Sequence, residues 1–247
     1  MGVFSGPEIN EDGLVLALDA ANVKSYPSYG TTWYDLSGKS NNGTINNATF
    51  NSDGYFAFDG TSSSNDHVES GAASDWTFLH NGASDFTIEA WVYFSATPSI
   101  NPYSICATSG SGTDIGMYFV QTVTDNYLNC TMYNGNRTST ANFGNSTGAL
   151  TQNNWNHAAV TFDSSSKTAT YYINGVSSGS SSQSSYSYSS SNPNNTLQIG
   201  RYVYSSGSIM SGYYNGRIST VKIYKEKALA ASEIKQNFNA ARGRFGI

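Results

Sequence analysis

Apolar and polar residues alternate along most of this chain, with a period of two rather than 3.6. In DFTIEAWVYF, Phe86, Ile88, Ala90 and Val92 share one face, while Thr87, Glu89, Trp91 and Tyr93 share the other. Both faces carry large side chains, so this strand is expected to be at least partly covered on both sides. The stretches LVLALD (14–19), GYFAFDG (54–60), HAAVTFD (157–163), TATYYI (168–173), TLQIGRY (196–202) and RISTVKIY (217–224) read as strands in the same way. Asn174-Gly175 lies between two such runs, the signal for a two-residue type I′ hairpin. Only ALAASEIKQNFNAARGR reads as a helix, starting at Ala231 or Ser232, with Ile234 and Phe238 as its apolar stripe. Short strands followed by one terminal helix predict an all-β fold, a two-sheet antiparallel jelly-roll sandwich. The expected division is an N-terminal arm (1–12), the sandwich (13–227), and a C-terminal helix with a basic tail (228–247). That last segment either packs on the sandwich or docks from it.

Composition adds detail to this frame. A chain of 247 residues buries enough surface to fold without a disulfide or a metal. Of its 12 Lys and Arg, only Lys24, Lys39, Arg137 and Lys167 precede residue 200, whereas 201–247 holds just Glu226 and Glu233 of the 17 acidic residues. Such opposite blocks suit a docking face for an acidic partner, with Lys235, Arg242 and Arg244 as candidates; the alternative is a terminal helix and an edge strand that carry solvated Lys and Arg. The basic residues form no run and the net charge is −5, so a nucleic-acid partner is not expected. The Ser/Tyr-rich stretch 177–195 reads as a long surface loop, either a contact loop or a plain insertion. Cys106 and Cys130 fall in strand-like runs with a third run between them, about 10 Å apart across two strand spacings, so free thiols are expected. No basic-then-apolar leader and no apolar run near 18 residues is present, so neither a signal peptide nor membrane insertion is expected.

Several segments, in order, resemble a known family: GLVLALDAANVKSYPSYGTTWYDLSGKSNNGTI, FAFDGTSSSNDHVE, FTIEAWVYF, WNHAAVTFD, YYINGV, LQIGRY and NGRISTVKIYKEKALAASEIKQNF. They are similar to the laminin-G-like branch of the concanavalin A-like lectin/glucanase superfamily over roughly residues 13–240. The opening and closing stretches look most like versions carried by tailed bacteriophages, where such domains serve as virion structural proteins: head decorations, fibres or tail appendages. The resemblance implies a jelly roll of two curved sheets, often with a bound glycan and often with a structural calcium ion.

The residues qualify each implication. Glucanase members carry paired carboxylates two residues apart on one strand, flanking the scissile bond. Here no Glu-x-Asp-x-Glu occurs, and Asp85 and Glu89 would lie about 13 Å apart along a strand. His67, His80 and His157 have no zinc-ligand spacing, and no G-x-S-x-G elbow occurs. For calcium, Asp19, Asp59 and Asp66 are the candidate ligands; otherwise Asp19 and Asp59 end strands and cap turns. In many relatives the last strand reads I-D-E-V-R-I-Y and its Asp helps hold the ion, but this chain has Ser219 there, with Lys222 nearby. Tyr186, Tyr188, Tyr202, Tyr204, Tyr213 and Tyr214 are candidates for contact with a glycan or a protein partner.

The functional expectation is a non-catalytic virion structural protein on a virion surface, touching other virion proteins and attaching to a surface. The alternative is a lectin or adhesin module for polysaccharide, not tied to a virion; a glycoside hydrolase is a distant third. The oligomeric state, a homo-oligomer included, stays open.

Overall fold

The computed structural model describes residues 8–96, 103–109, 113–136, 139–203 and 212–247. In chain order the strands are β1 (Leu14–Asp19), β2 (Thr32–Trp33), β3 (Gly43–Asn46), β4 (Thr49–Asn51), β5 (Tyr55–Asp59), β6 (His67–Ser70), β7 (Phe86–Tyr93) and β8 (Tyr103–Ala107). They continue as β9 (Ile115–Gln121), β10 (Tyr127–Asn134), β11 (Thr140–Ala149), β12 (Trp155–Asp163), β13 (Thr168–Ile173), β14 (Val176–Ser182), β15 (Leu197–Ile199) and β16 (Asn215–Lys225), followed by helix α1 (Ala231–Ala241). Two 8-stranded antiparallel sheets result. Sheet A runs β14-β13-β12-β7-β16-β5-β4, and β1 pairs with the second half of β16. Sheet B runs β11-β10-β9-β8-β15-β6-β3-β2. The expected all-β sandwich with one short C-terminal helix is the architecture found.

The core lies between the sheets and is filled by the inward half of each alternation, including Trp33, Phe56, Phe86, Phe119, Phe143 and Phe162. One polar group crosses it. Tyr171 on β13 donates its hydroxyl to the Gly144 carbonyl (2.8 Å) and accepts from the Cys130 amide (2.9 Å). Pairing of β10 with β11 slips between Asn129 and Thr131, so a side chain from the opposite sheet satisfies an amide the ladder leaves free. Cys130 and Cys106 are buried free thiols on next-but-one strands, and both stand in register with Phe119. Burial pushes the Cys106 thiol up to about 12.

β7 is buried along nearly its whole length because α1 lies on its outward side. Ile234 and Phe238 supply the helix stripe: Ile234 packs with Leu14, Ala159, Tyr172, Tyr224 and Leu229, and Phe238 lies against Trp91 and His157. Trp91 stacks on Phe238 (5.7 Å between centroids) and on Phe245 (4.0 Å), which follows in a short 3-10 turn. The helix begins where Glu233 accepts a hydrogen bond from the Ala230 amide (2.8 Å). Residues 8–10 of the arm lie against the helix: Asn10 donates its amide to Asn237 (2.8 Å) and its side chain to Glu233 (2.7 Å).

Two local expectations change. Ser177–Ser182, read as the start of a loop, continue β14 as an edge strand paired with β13. Backbone pairing suffices there, and small hydroxyl side chains facing water give no apolar alternation to detect. The strand expected at 196–202 is only Leu197–Ile199, because Gly200 turns the chain at φ 84°. Asn174 and Gly175 have φ of 52° and 72°, the two positive values a type I′ hairpin requires.

Candidate functional site

Sheet B turns its second face away from the core, and strand register decides what stands there. Inward residues Trp33, Ile45, Val68, Leu197, Cys106, Met117, Cys130 and Ala141 fix the phase of each strand. Their neighbours form a cross-strand row: Thr32 pairs with Thr44, Thr44 with Glu69, and Glu69 with Gln198. The row continues from Gln198 to Ala107, Tyr118, Thr131 and Asn142, reaching the far edge of the sheet. Hydroxyls, amides, a carboxylate and a phenol thus stand in register, with Ala107 as the single apolar member. Gln198, Ala107 and Thr131 are buried, so Thr32, Thr44, Glu69, Tyr118 and Asn142 are the members that reach the surface.

Side-chain hydrogen bonds hold the middle of this row. Arg201 donates to Gln198 Oε1 (2.9 Å), Asn65 Oδ1 (2.6 Å) and Glu69 Oε1 (2.9 Å). His67 Nε2 lies 3.2 Å from the same carboxylate oxygen, and Gln198 donates to Thr196 (2.6 Å). The Glu69 carboxyl is held below its usual range, chiefly by the His67 hydrogen bond, with the charges of His67 and Arg201 outweighing partial burial. Glu69 keeps 40% of its side chain exposed, whereas Arg201 keeps 11%. The arrangement presents a preset carboxylate edge to solvent with its cation tucked behind.

Beside this network stands an aromatic group. Tyr118 is half-buried, with Tyr202 stacked at 6.0 Å and Tyr133 edge-on at 5.5 Å. At the far end, Asn129 donates to Asn142 Oδ1 (3.1 Å), Gly144 O (2.9 Å) and Asn145 Oδ1 (3.0 Å). Fixed amides, an oriented carboxylate and an aromatic face are the groups that recognise a polyhydroxylated ligand.

The sequence-derived candidates scatter relative to this face. Tyr202, Tyr213 and Tyr214 are 5%, 6% and 0% exposed, so a direct contact role is corrected to a supporting one. Tyr202 props Tyr118, and Tyr213 donates to Asn65 (3.3 Å). Tyr214 belongs to the core, against Phe58 and Tyr103. Tyr186 and Tyr188 fold back onto the core, edge to face at 4.9 Å, with Tyr188 against Phe162, because a ring laid over apolar neighbours leaves water. Tyr204 lies outside the described residues. Of the docking candidates, Lys235 and Arg242 are exposed, but Arg244 is not a free charge: it donates to both carboxylate oxygens of Asp19 (2.8 and 3.0 Å).

The acidic candidates do not converge on one place. Asp66 accepts the Asp59 amide (2.9 Å), and both line an open polar cleft of about 540 Å³ with Asn47, Ser63 and Ser64. Burial would raise the Asp59 carboxyl, but hydrogen bonds from Ser64 and Thr61 outweigh it and hold it low. Asp19 stands opposite Thr220 and Asp59 opposite Asn215, five residues apart on β16, or about 17 Å. Among the described residues no group of three or more His, Cys, Asp or Glu could hold a metal ion. At Asp19 the fit to a calcium ion fails: the carboxylate is engaged by Arg244, and Ser219 also bonds to that guanidinium.

The row itself went unseen in sequence. Period two identifies its members' faces within each strand, but only long-range pairing aligns Thr32 with Asn142. Arg201 sits in the recognised segment LQIGRY, and its role depends on Asn65 and Glu69 more than 130 residues away.

A family model described as the concanavalin A-like lectin/glucanases superfamily matches residues 62–235. The chain belongs to that superfamily. Among solved structures, domain 4 of AbnA, a GH43 extracellular arabinanase from Geobacillus stearothermophilus in complex with arabinotriose, is similar at TM-score 0.64 and 15% identity, covering 92% of this chain and 99% of that one. The binding domain of Paraclostridial Mosquitocidal Protein 1 is similar at TM-score 0.62 and 19% identity, covering 93% of this chain and 52% of that one. Trypanosoma rangeli sialidase in complex with sialic acid is similar at 0.62 and 14%, covering 94% and 33%. The chain therefore spans about half of the mosquitocidal structure and a third of the sialidase. At these identities the likeness is one of fold. No curated protein matches the sequence.

Proposed function

We propose that this chain is a non-catalytic carbohydrate-binding module that attaches its bearer to a polysaccharide surface through the outer face of sheet B. The observation that carries the reading is the cross-strand row from Thr32 to Asn142, whose Thr44, Glu69, Tyr118 and Asn142 reach the surface, with Glu69 oriented by Arg201. Similar folds solved with arabinotriose and sialic acid support a saccharide as the ligand class. Glycoside hydrolysis ordinarily uses two carboxylates flanking one bond, and Glu69 is the single carboxylate in this row. In its finer form the proposal makes the bearer a virion, with the exposed Lys235 and Arg242 of the basic tail turned toward other virion proteins. The phage-like segments of the sequence support that form.

A glycan array tests the binding reading. The wild-type chain is expected to retain one or more bacterial or plant polysaccharides, Tyr118→Ala to lose them, and neither protein to release reducing sugar. Absence of any retained glycan overturns the reading. Antibody labelling of purified particles from the source tests the finer form, which unlabelled particles remove.

A further inference from the structure

Resting on that binding reading, we infer that the ligand is an uncharged, extended polysaccharide strand, gripped over several internal units rather than at a terminal sugar. The row crosses all eight strands of sheet B, seven spacings of about 4.8 Å, or about 34 Å before curvature. That span exceeds any mono- or disaccharide. Its accessible polar groups are spaced along that length: Thr44 is exposed near one edge, Glu69 is part-exposed next to it, Tyr118 is beyond the middle, and Asn142 and Asn145, held by the buried Asn129, close the other edge. Charge in the row is self-cancelling. Glu69 is paired with Arg201 at 2.9 Å, so an acidic polymer finds no spare cation among these residues and a basic one finds a carboxylate already engaged. A neutral polyol needs only the hydroxyl, amide and phenol groups that remain.

Calorimetry on the full chain tests this with neutral linear α-1,5-arabino-, β-1,4-gluco- and β-1,4-manno-oligosaccharides of one to eight units, and with polygalacturonate and polysialic acid. Affinity is expected to rise at least tenfold from two units to six in one neutral series, with both acidic polymers weaker. Asn142→Ala, on an exposed position, is expected to lower affinity for six units several-fold more than affinity for two. Full affinity at one or two units, or preference for an acidic polymer, overturns the inference while leaving carbohydrate binding intact. Binding of no saccharide removes both.

A separate observation carries a second inference: the geometry points to Arg244 as a built-in cation standing where a metal ion would otherwise be needed. Three kinds of oxygen converge on its guanidinium: the Asp19 carboxylate (2.8 and 3.0 Å), the Gly54 carbonyl (3.4 Å) and the Ser219 hydroxyl. Carboxylate, carbonyl and hydroxyl oxygens form a donor set for a hard cation, and here the chain's own tail satisfies it. Phe245, the next residue, stacks on Trp91 (4.0 Å) and lies against Trp155 (4.9 Å), so charge and ring together pin the tail to sheet A. Thermal unfolding of wild type, Asp19→Asn and Arg244→Ala with calcium chloride or with a chelator is the test. Arg244→Ala is expected to unfold a few degrees lower than wild type, and calcium to shift wild type and Asp19→Asn equally. A calcium-dependent rise that Asp19→Asn abolishes overturns the inference, as does an Arg244→Ala melting temperature equal to that of wild type.

Discussion

Each sheet turns a glutamate beside a histidine toward its outer side, and the two pairs have opposite surroundings. On sheet A, Glu89 lies 3.5 Å from His157, and both side chains are 2% exposed beneath α1. On sheet B, Glu69 lies 3.2 Å from His67 with 40% of its side chain open to solvent. Glu89 spends its remaining capacity inward: Asn237 of the helix donates to it (2.9 Å) and to the Tyr224 hydroxyl (3.0 Å), which in turn donates to the Asn10 carbonyl (3.0 Å). This network ties the N-terminal arm, the last strand and the helix into one covered face. Glu69 is held by Arg201 from behind and keeps an edge for something outside. A buried polar network specifies how segments of the same chain fit together, whereas an oriented, half-open one is prepared for another molecule.

The sharpest way to break this contrast is to delete each carboxylate. Glu89→Ala leaves the Asn237 amide and His157 without their partner in a dry site, and is expected to cost about 3–5 kcal/mol in urea unfolding. Glu69→Ala removes a part-exposed carboxylate whose partner Arg201 keeps Gln198 and Asn65, and is expected to cost less, about 1–2 kcal/mol, while abolishing retention on the polysaccharide surface. Equal stability losses, or lost binding in the Glu89 variant at temperatures where it is folded, would erase the distinction between the faces.

Acid provides the next largest effect, and a third histidine sets it. His80 is buried at the end of the Ala73–Leu79 turn, with Nε2 3.0 Å from the Ser191 carbonyl, so it anchors the loop after β14. Burial pushes its pKa from 6.5 down to about 4, against a weaker opposing effect of the Ser191 bond. The unfolded chain binds this proton first. Stability is therefore present above pH 6.5 and drains as pH falls from 6.5 toward 4. The loss is at most about 3 kcal/mol for a shift of this size. Chemical unfolding at pH 7 and pH 4.5 is expected to show this slope in wild type and a reduced one in His80→Gln. Both Glu69 and Glu89 are held below the usual value of 4.5, so their contributions are full above pH 4.5 and fade as pH falls below it. For Glu89, burial works in the raising direction, and the His157 hydrogen bond and charge, Lys222 and Asn237 outweigh it.

The covered face was far more legible in sequence than the open one. The two-sided apolar pattern of Phe86–Tyr93 announces a strand covered on both sides, and Ile234 with Phe238 announces the helix that covers it, because burial imposes a hydrophobic period. Sheet B's outer face imposes none: Thr44, Glu69, Gln198 and Asn142 resemble any solvated strand residues until pairing aligns them. Tyrosine content misleads for a related reason. Tyr213 and Tyr214 are adjacent in sequence and both buried, one hydrogen-bonded beside the Arg201 network and the other in the core. Clustering along the chain does not tell which side of a sheet a ring meets. Arg242 and Arg244 show the same limit for charge, since two residues of separation place one in solvent and the other on Asp19.

The smallest stability effect, and the finest discriminator, concerns Tyr118. Its ring is half-buried between Tyr202 and Tyr133, so removing only the hydroxyl leaves both ring contacts in place. Tyr118→Phe is expected to change stability by less than about 0.5 kcal/mol, whereas Tyr118→Ala removes the ring that Tyr202 and Tyr133 support. If the ring face is what a sugar packs on, Tyr118→Phe keeps affinity within about twofold and Tyr118→Ala loses tenfold or more, since aromatic contacts contribute about 1 kcal/mol beyond area. If the phenol oxygen is the contact, the two variants lose affinity alike. The comparison, made by calorimetry with the same oligosaccharide, separates a stacking platform from a hydrogen-bonding one. It does so with a substitution too small to disturb the fold, an option the tightly packed opposite face does not provide at Trp91, wedged between Phe238 and Phe245.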